Sequence, residues 1–322
     1  MAEIPIIVGF VPKFRSVAAY APKGVTALGL GIVNEIFRRP GFDFAICADR
    51  PGTLRTDLGL PLPVEHGLDR LADADLVLAL PGVEFRADPP KAVLAAFRAA
   101  SGRGAIIAAH CVGTFLPAAA GLLDGLEATT HWRFAADLAA RHPAVRVRPE
   151  SLYVDQDHVV TGAGAVAGID LCLYLIRREH GAARANAIAR DLVTTPYRSG
   201  GQLQYLPAPV PDDGDDERLS EVIAWARAGL DRRISVDDLA ARALMSRRSF
   251  ARRFKAATGT TPHAWLLAQR LNLAEELLET TDLPVENIAH HVGYRSAAVF
   301  REQFALRRGV PPRDYRRAFR QR

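Results

Sequence analysis

Two stretches in the last third of the chain are versions of one pattern. The first, Leu239 to Pro262, runs LAARALMSRRSFARRFKAATGTTP; the second, Ile288 to Pro312, runs IAHHVGYRSAAVFREQFALRRGVPP. Phe250, Phe254, Gly259 and Pro262 return about fifty residues later as Phe300, Phe304, Gly309 and Pro312. Few folds accept such a duplication. Each copy predicts a short helix, a tight turn and a longer helix, the helix-turn-helix arrangement. Val236, Leu239 and Ala240 fall at i, i+3 and i+4, one apolar stripe of the first short helix. Ala240 and Ala289 are small where two helices cross. Gly293 takes a left-handed turn at little cost. Leu244 holds the matching position without that freedom, so its turn is expected to differ in shape or to be slightly strained. Ser246 and Ser296 are placed to cap the second helices. The phenylalanine pairs, four residues apart, anchor those helices inward, and Gly259 and Gly309 are expected to stop them.

With the phenylalanines turned inward, the outer face of the first copy presents Arg247, Arg248, Arg252 and Lys255. The second presents Arg295, Arg301, Glu302, Arg307 and Arg308. Two arginines directly after a cap oppose the helix dipole, so the sequence needs another reason for them. The phosphates and guanine edges of double-stranded DNA supply one.

These motifs, with the intervening RLNLAEELLETTDLPVENIA and the closing GVPPRDYRR, resemble the DNA-binding domain of the AraC/XylS family of transcription regulators over Leu219 to Arg317. The resemblance implies a connecting helix that spaces two helix-turn-helix units for successive major-groove segments. It implies base reading at Arg248, Ala251 and Arg252, and at Ala298, Arg301 and Glu302. The two alanines offer a base edge no hydrogen bond, so readout falls to the arginines and Glu302.

Charge separates the chain into parts. From Leu219 onward there are 19 Lys+Arg and 11 Asp+Glu, a surplus of eight; the remainder holds 22 and 25, a deficit of three. A basic terminal domain joined to a mildly acidic one suits a polyanion-binding module attached to a different device. The expected division is residues 1–200, a linker at 201–218 rich in Gly, Pro and Asp, and 219–322. Cys47, Cys111 and Cys172 are too few and too scattered for a disulfide framework, which points to a reducing cytoplasm. No apolar run approaches the roughly eighteen residues of a membrane helix, and EIPIIVGFVP is taken as a first strand, Ile4 to Val11, rather than a signal peptide.

The first two hundred residues alternate strand and helix patterns. Strands are expected at Phe42 to Ala48, Leu76 to Leu80 and Gly104 to Ala109, with shorter ones at Val145 to Arg148, Leu152 to Val154 and Val159-Val160. A hairpin-like excursion is expected at Leu54 to Leu62. Helices are expected at Val25 to Phe37, Pro90 to Ser101, from Val112, at His131 to Arg141, Gly168 to His180 and Ala182 to Val193. That alternation predicts a parallel sheet covered on both faces, a three-layer α/β domain, followed by an all-α domain with two helix-turn-helix units. In such sheets ligands lie beyond the strand C-termini. There AAHCVGTF puts Cys111 at a strand-to-helix elbow, beside free helical N–H groups that would lower its thiol pKa or hold an anion. His131 is close enough in sequence to act as its partner, or Cys111 is a small core residue and His131 a surface one.

LALPGVEF, AAHCVGTFLPAAAGLLDGLEATTHW and VVTGAGAVAGIDLCLYLIRREHG resemble the ThiJ/PfpI superfamily, with its flavodoxin-like fold, and more closely the amidase-like sensor half of GlxA-type AraC regulators, over Ile4 to Gln204. The resemblance implies a ligand site of Gly82, Val83, Cys111, Val112, Gly113 and His131, with Pro81-Gly82 as the oxyanion-side loop. Family enzymes carry an acid on the first helix that hydrogen-bonds the cysteine; here Gly29 stands in its place, and Glu35 occupies another position. A regulator that senses a small amino-acid-like or amide-like effector without turnover is therefore expected, with an active cysteine hydrolase or amidase as the alternative. No metal or cofactor is implied. RNA polymerase and a second copy of the chain, as a homodimer, are expected partners, and a membrane is not.

Overall fold

The computed structural model describes residues 14–195, 198, 200, 215–232, 234–258, 260–308 and 310–320. The chain forms two compact units. Of the described residues, one comprises those up to Leu175 and from Ile188 to 200, and the other Ile176–Ala187 and residues 215–320. The strand expected at Ile4 to Val11, most of the linker, Gly259 and Gly309 lie outside the described residues.

The first unit is an α/β fold. Its elements in order are β1 (Ser16–Tyr20), α1 (Ala27–Phe37), β2 (Asp43–Cys47), β3 (Gly52–Arg55), β4 (Pro61–Val64), α2 (Asp69–Asp73), β5 (Leu76–Ala79) and α3 (Lys91–Gly102). β6 (Ile106–His110), α4 (Phe115–Ala119), β7 (Glu127–Ala128), α5 (Ala135–Arg141), β8 (Arg146–Val147), β9 (Tyr153–Gln156), β10 (Val159–Gly162), α6 (Ala167–His180) and α7 (Ala182–Asp191) follow, with the end of α6 from Ile176 and the start of α7 up to Ala187 falling in the other unit. Six strands make the main sheet in the order β2-β1-β5-β6-β10-β9, parallel except for the β10–β9 hairpin. The order of its parallel strands, second-first-third-fourth-fifth, is the flavodoxin-like winding, which reverses direction between β1 and β5. β5 (LVLA) and β6 (IIAAH) are buried at every position, as strands covered on both faces must be. Register runs straight across, Ala18 to Val77, Val77 to Ile107 and Ile107 to Val159. β1, for which the sequence raised no expectation, is the first described strand of the sheet. Its SVAAY pattern is short and alanine-rich, so it carries a weak signal beside the more apolar run before it.

The second unit holds α8 (Asp215–Ala228), α9 (Val236–Arg242), α10 (Arg247–Thr258), α11 (Pro262–Thr280), α12 (Val285–His291), α13 (Ala297–Arg308) and α14 (Pro312–Arg320). α8 begins four residues before the expected boundary at 219. Ser235 and Asp238 close a capping box at the start of α9. Ser246 and Ser296 accept N–H bonds from Ser249 and Val299, capping α10 and α13. Phe250, Phe254, Phe300 and Phe304 are fully buried, and truncating any of them to Ala is expected to cost about 3–5 kcal/mol. The duplication extends further than the motif: Phe254 meets Trp265 edge-on at 5.6 Å, and Phe304 meets Tyr315 edge-on at 5.4 Å. The two turns share one shape, because Leu244 (φ 56) and Gly293 (φ 78) are both left-handed. In each, successive N–H groups reach back to the short helix, Leu244 to Ala241 and Met245 to Ala240, Gly293 to His290 and Tyr294 to Ala289. The first turn is therefore strained and not differently shaped.

Candidate functional site

Cys111 follows the last residue of β6 and itself adopts φ 56, a conformation that costs a non-glycine residue about 1–2 kcal/mol. Its neighbours hold it there. The Cys111 N–H donates to the Ala163 carbonyl at 3.3 Å, and Thr130 Oγ1 donates to the Cys111 carbonyl at 2.7 Å. Gly113 lets the elbow lie against β5: a Cβ there would sit 2.3 Å from the Ala79 carbonyl oxygen. Gly164 does the same for the two candidate side chains. A Cβ on it would meet the His131 ring at 2.2 Å and Cys111 Sγ at 2.9 Å, so the thiol and the imidazole flank one empty point. Thr130, Gly164 and Ala165 are parts of the site that the sequence reading passed over, although GAGAV is an unusual glycine spacing after a strand.

The thiol's electrostatics differ from expectation. Burial is the largest influence and pushes the Cys111 pKa up; N–H groups of Val112 and Ala165 pull it only part of the way back. The helix behind the elbow is a single 3-10 turn, Cys111 to Thr114, before the five residues of α4, too short for a strong dipole. Burial and the Arg133 charge push His131 down, so it is neutral near pH 7, with Nδ1 accepting the Arg133 N–H at 3.2 Å. Where an enzyme's acid would stand, Gly29 is closed in: a Cβ would lie 2.8 Å from Thr26 Oγ1 and 3.0 Å from Pro81.

Of the remaining predicted ligand residues, Gly82, Val112 and Gly113 line a cavity of about 300 Å³. Val83 lies outside it, exposed and packed against Gly24; Cys111 and His131 do not line it either.

In the helical unit, Arg248, Arg252 and Lys255 project from α10 into solvent and form no ion pair among the described residues. Arg247 reaches Asp237 at 3.5 Å. Arg295, Glu302 and Arg307 are exposed on the second copy. Arg301 is exposed and pairs with Glu286. Arg308 turns inward instead, bonding the buried Glu275 and Asn272 (3.0 Å). The sequence grouped it with the outer arginines because it adjoins Arg307; one step of 100° along the helix separates their directions. Glu275 also accepts from the buried Arg177 at 2.6 Å.

A DJ-1/PfpI family model matches residues 15–178, and a helix-turn-helix domain model matches residues 239–318. The HTH-type transcriptional regulator GbdR of Pseudomonas aeruginosa is 29% identical over 258 residues, 80% of this chain and 70% of that protein. The HTH-type transcriptional regulator ArgR of the same species is 32% identical over 213 residues, 66% of this chain and 64% of that one. Among solved structures, a ThiJ/PfpI family protein from Pseudomonas syringae aligns with a TM-score of 0.52 at 22% identity, over 75% of this chain and 97% of that one. Drosophila melanogaster DJ-1beta also gives 0.52, at 16% identity, over 56% and 99%. At these identities the solved structures speak for the fold alone. With half its length matched by the family model, the chain belongs to the DJ-1/PfpI family, and a helix-turn-helix domain follows that fold in the sequence.

Proposed function

We propose that the protein is a sequence-specific DNA-binding transcription regulator whose α/β unit senses a small amino-acid-like or amide-like molecule at the C-terminal ends of its strands. The observation that carries this reading is the pair of left-handed turns with capped second helices, which expose Arg248, Arg252 and Lys255 on one copy and Arg295, Glu302 and Arg307 on the other. The relatives are curated as HTH-type transcriptional regulators, which supports it. A sensing role is favoured over turnover by Gly29, whose surroundings leave no room for an acid, and by burial that keeps the Cys111 thiol protonated. Double-stranded DNA is the macromolecular partner. A homodimer, contact with RNA polymerase and a cytoplasmic location belong to the same proposal; among the described residues no helix is long and apolar enough to cross a membrane.

The test is selection of a preferred duplex, followed by affinity measurements. Arg248→Ala and Arg252→Ala should each weaken the selected site by about 1–3 kcal/mol and relax preference at one or two base pairs. Equal losses on selected and random duplexes would remove base reading from these residues.

A further inference from the structure

The 300 Å³ cavity lies where the sheet's winding reverses. Tyr20 ends β1, Leu80 and Gly82 follow β5, and residues from both contribute to its walls. In doubly wound sheets the crevice outside the strand C-termini at this reversal is where ligands bind. The walls are largely apolar, with Leu80, Phe85, Phe115 and Leu116 among them.

The charges around it do not balance. Five ionised side chains line the cavity: Lys23, Asp49, Glu84, Asp88 and Arg141. Lys23 Nζ is 2.8 Å from Glu84, and Arg141 Nη2 is 3.7 Å from Asp88. Asp49 has no cation among the described residues; its partner is the Tyr20 hydroxyl, which donates to Oδ1 at 2.5 Å. That donor is neutral. Burial and the Asp49 charge push the Tyr20 pKa far up, so the phenol keeps its proton. His142, also in the wall, is pushed down by burial and by Arg141, and adds no positive charge near pH 7. Among the described residues the cavity thus offers one carboxylate without an ion pair, exposed and with its second oxygen unbonded, beside the aromatic side chains of Tyr20, Phe85 and Phe115. Such walls attract a cation and repel an anion.

We propose that this cavity, and not the cysteine elbow beside it, holds the small-molecule ligand through an organic cation, an ammonium or guanidinium on a compact apolar body, paired with Asp49. The proposal deepens the sensor reading given above, and rests on it only for what binding does to DNA occupancy.

Binding to the full chain is read by titration calorimetry, without DNA. Phenethylammonium, its N,N,N-trimethyl analogue and butylammonium are compared with phenylacetate and 2-phenylethanol. At least one cation should bind saturably and more tightly than both the anion and the neutral alcohol. Asp49→Asn should weaken the cation about tenfold or more, since a hydrogen bond to a charged group is lost, and should leave the alcohol unchanged. Cys111→Ser should bind the cation as the parent does. Failure of all three cations to bind, tighter binding of phenylacetate, or equal affinity in the Asp49→Asn variant overturns the proposal. Thermal unfolding of each variant confirms that the fold is kept. DNA affinity is then measured with and without saturating cation. If the cation binds through Asp49 while DNA affinity stays constant, the cavity assignment stands and its role in sensing falls. If no cation binds while DNA is bound, the cavity assignment falls and the DNA-binding reading stands.

Discussion

His110, one residue before the elbow, is fully buried, and neither ring nitrogen has a hydrogen-bond partner among the described residues. Its ring lies close against α6, where a Cβ on Gly168 would be 2.9 Å from Nδ1. Burial alone lowers its pKa to about 4. The sign of the linkage follows. Above pH 6.5 the imidazole is neutral in both states and adds no pH dependence. As pH falls below 6.5 the unfolded chain takes up a proton that the folded chain refuses, so stability is lost progressively down to about pH 4. The full loss is about 3 kcal/mol. Denaturant unfolding at several pH values, compared with His110→Leu, should show the wild type losing its advantage over the variant across that window. A constant difference would mean that a buried water satisfies the ring. The same unit sets an order among the thiols. Burial pushes Cys47 and Cys172 up to about 12, whereas Cys111 is partly exposed and receives two N–H bonds. Timed alkylation read by mass spectrometry should label Cys111 first; earlier labelling of either buried thiol would contradict the elbow geometry.

At the scale of elements, the two helix-turn-helix copies use one turn with two different residues. Leu244 accepts a left-handed backbone with its side chain 78% exposed, so it gains little from burial. Gly293 has no room for a side chain, since a Cβ would approach the Leu230 carbonyl to 2.6 Å and Arg270 to 2.7 Å. Exchanging them should therefore be asymmetric. Leu244→Gly relieves strain of about 1–2 kcal/mol against a glycine entropy cost of about 0.5–1 kcal/mol, a net gain of up to about 1.5 kcal/mol. Gly293→Leu should destabilise by about 2 kcal/mol or more, from strain and overlap together. Chemical denaturation of both variants checks this; equal effects would mean the turns are energetically alike. The turns also mark what sequence discloses. The repeat, its caps and its buried phenylalanines were legible because periodicity and capping are local. Leu244 was legible as a conflict, but not its resolution, because only neighbouring packing can force a left-handed leucine. The Cys111 elbow was legible as glycine beside cysteine after an apolar run. Its raised pKa was not, since desolvation depends on residues distant in the chain, such as Gly164, which packs against the sulfur. Asp49 drew no expectation from the sequence, because only the fold sets it beside Tyr20.

For the whole molecule, net charge overstates what is available to a polyanion. From Leu219 onward the surplus is eight, yet not every cation in that count faces outward. Arg308 is held by Glu275, whose other oxygen is taken by Arg177 of the same unit, all three largely buried. Glu279 in turn accepts the Ala182 and Ala183 N–H groups and the Tyr315 hydroxyl. These carboxylates fix α11 to its neighbours, and removing one partner leaves a buried charge uncompensated. Arg307, one position away, is exposed and has no partner among the described residues. The two adjacent arginines should therefore separate in two measurements. Each phosphate contact contributes about 0.9 to the slope of log affinity against log salt. Arg307→Ala should lower that slope by about one on every duplex and leave thermal stability unchanged. Arg308→Ala should destabilise the folded chain by about 3 kcal/mol or more and leave the slope unchanged wherever the variant remains folded. If Arg308→Ala lowers the slope without loss of stability, then Arg308 leaves Glu275 for the phosphate backbone when DNA binds, and Glu275 is a switch between folding and binding.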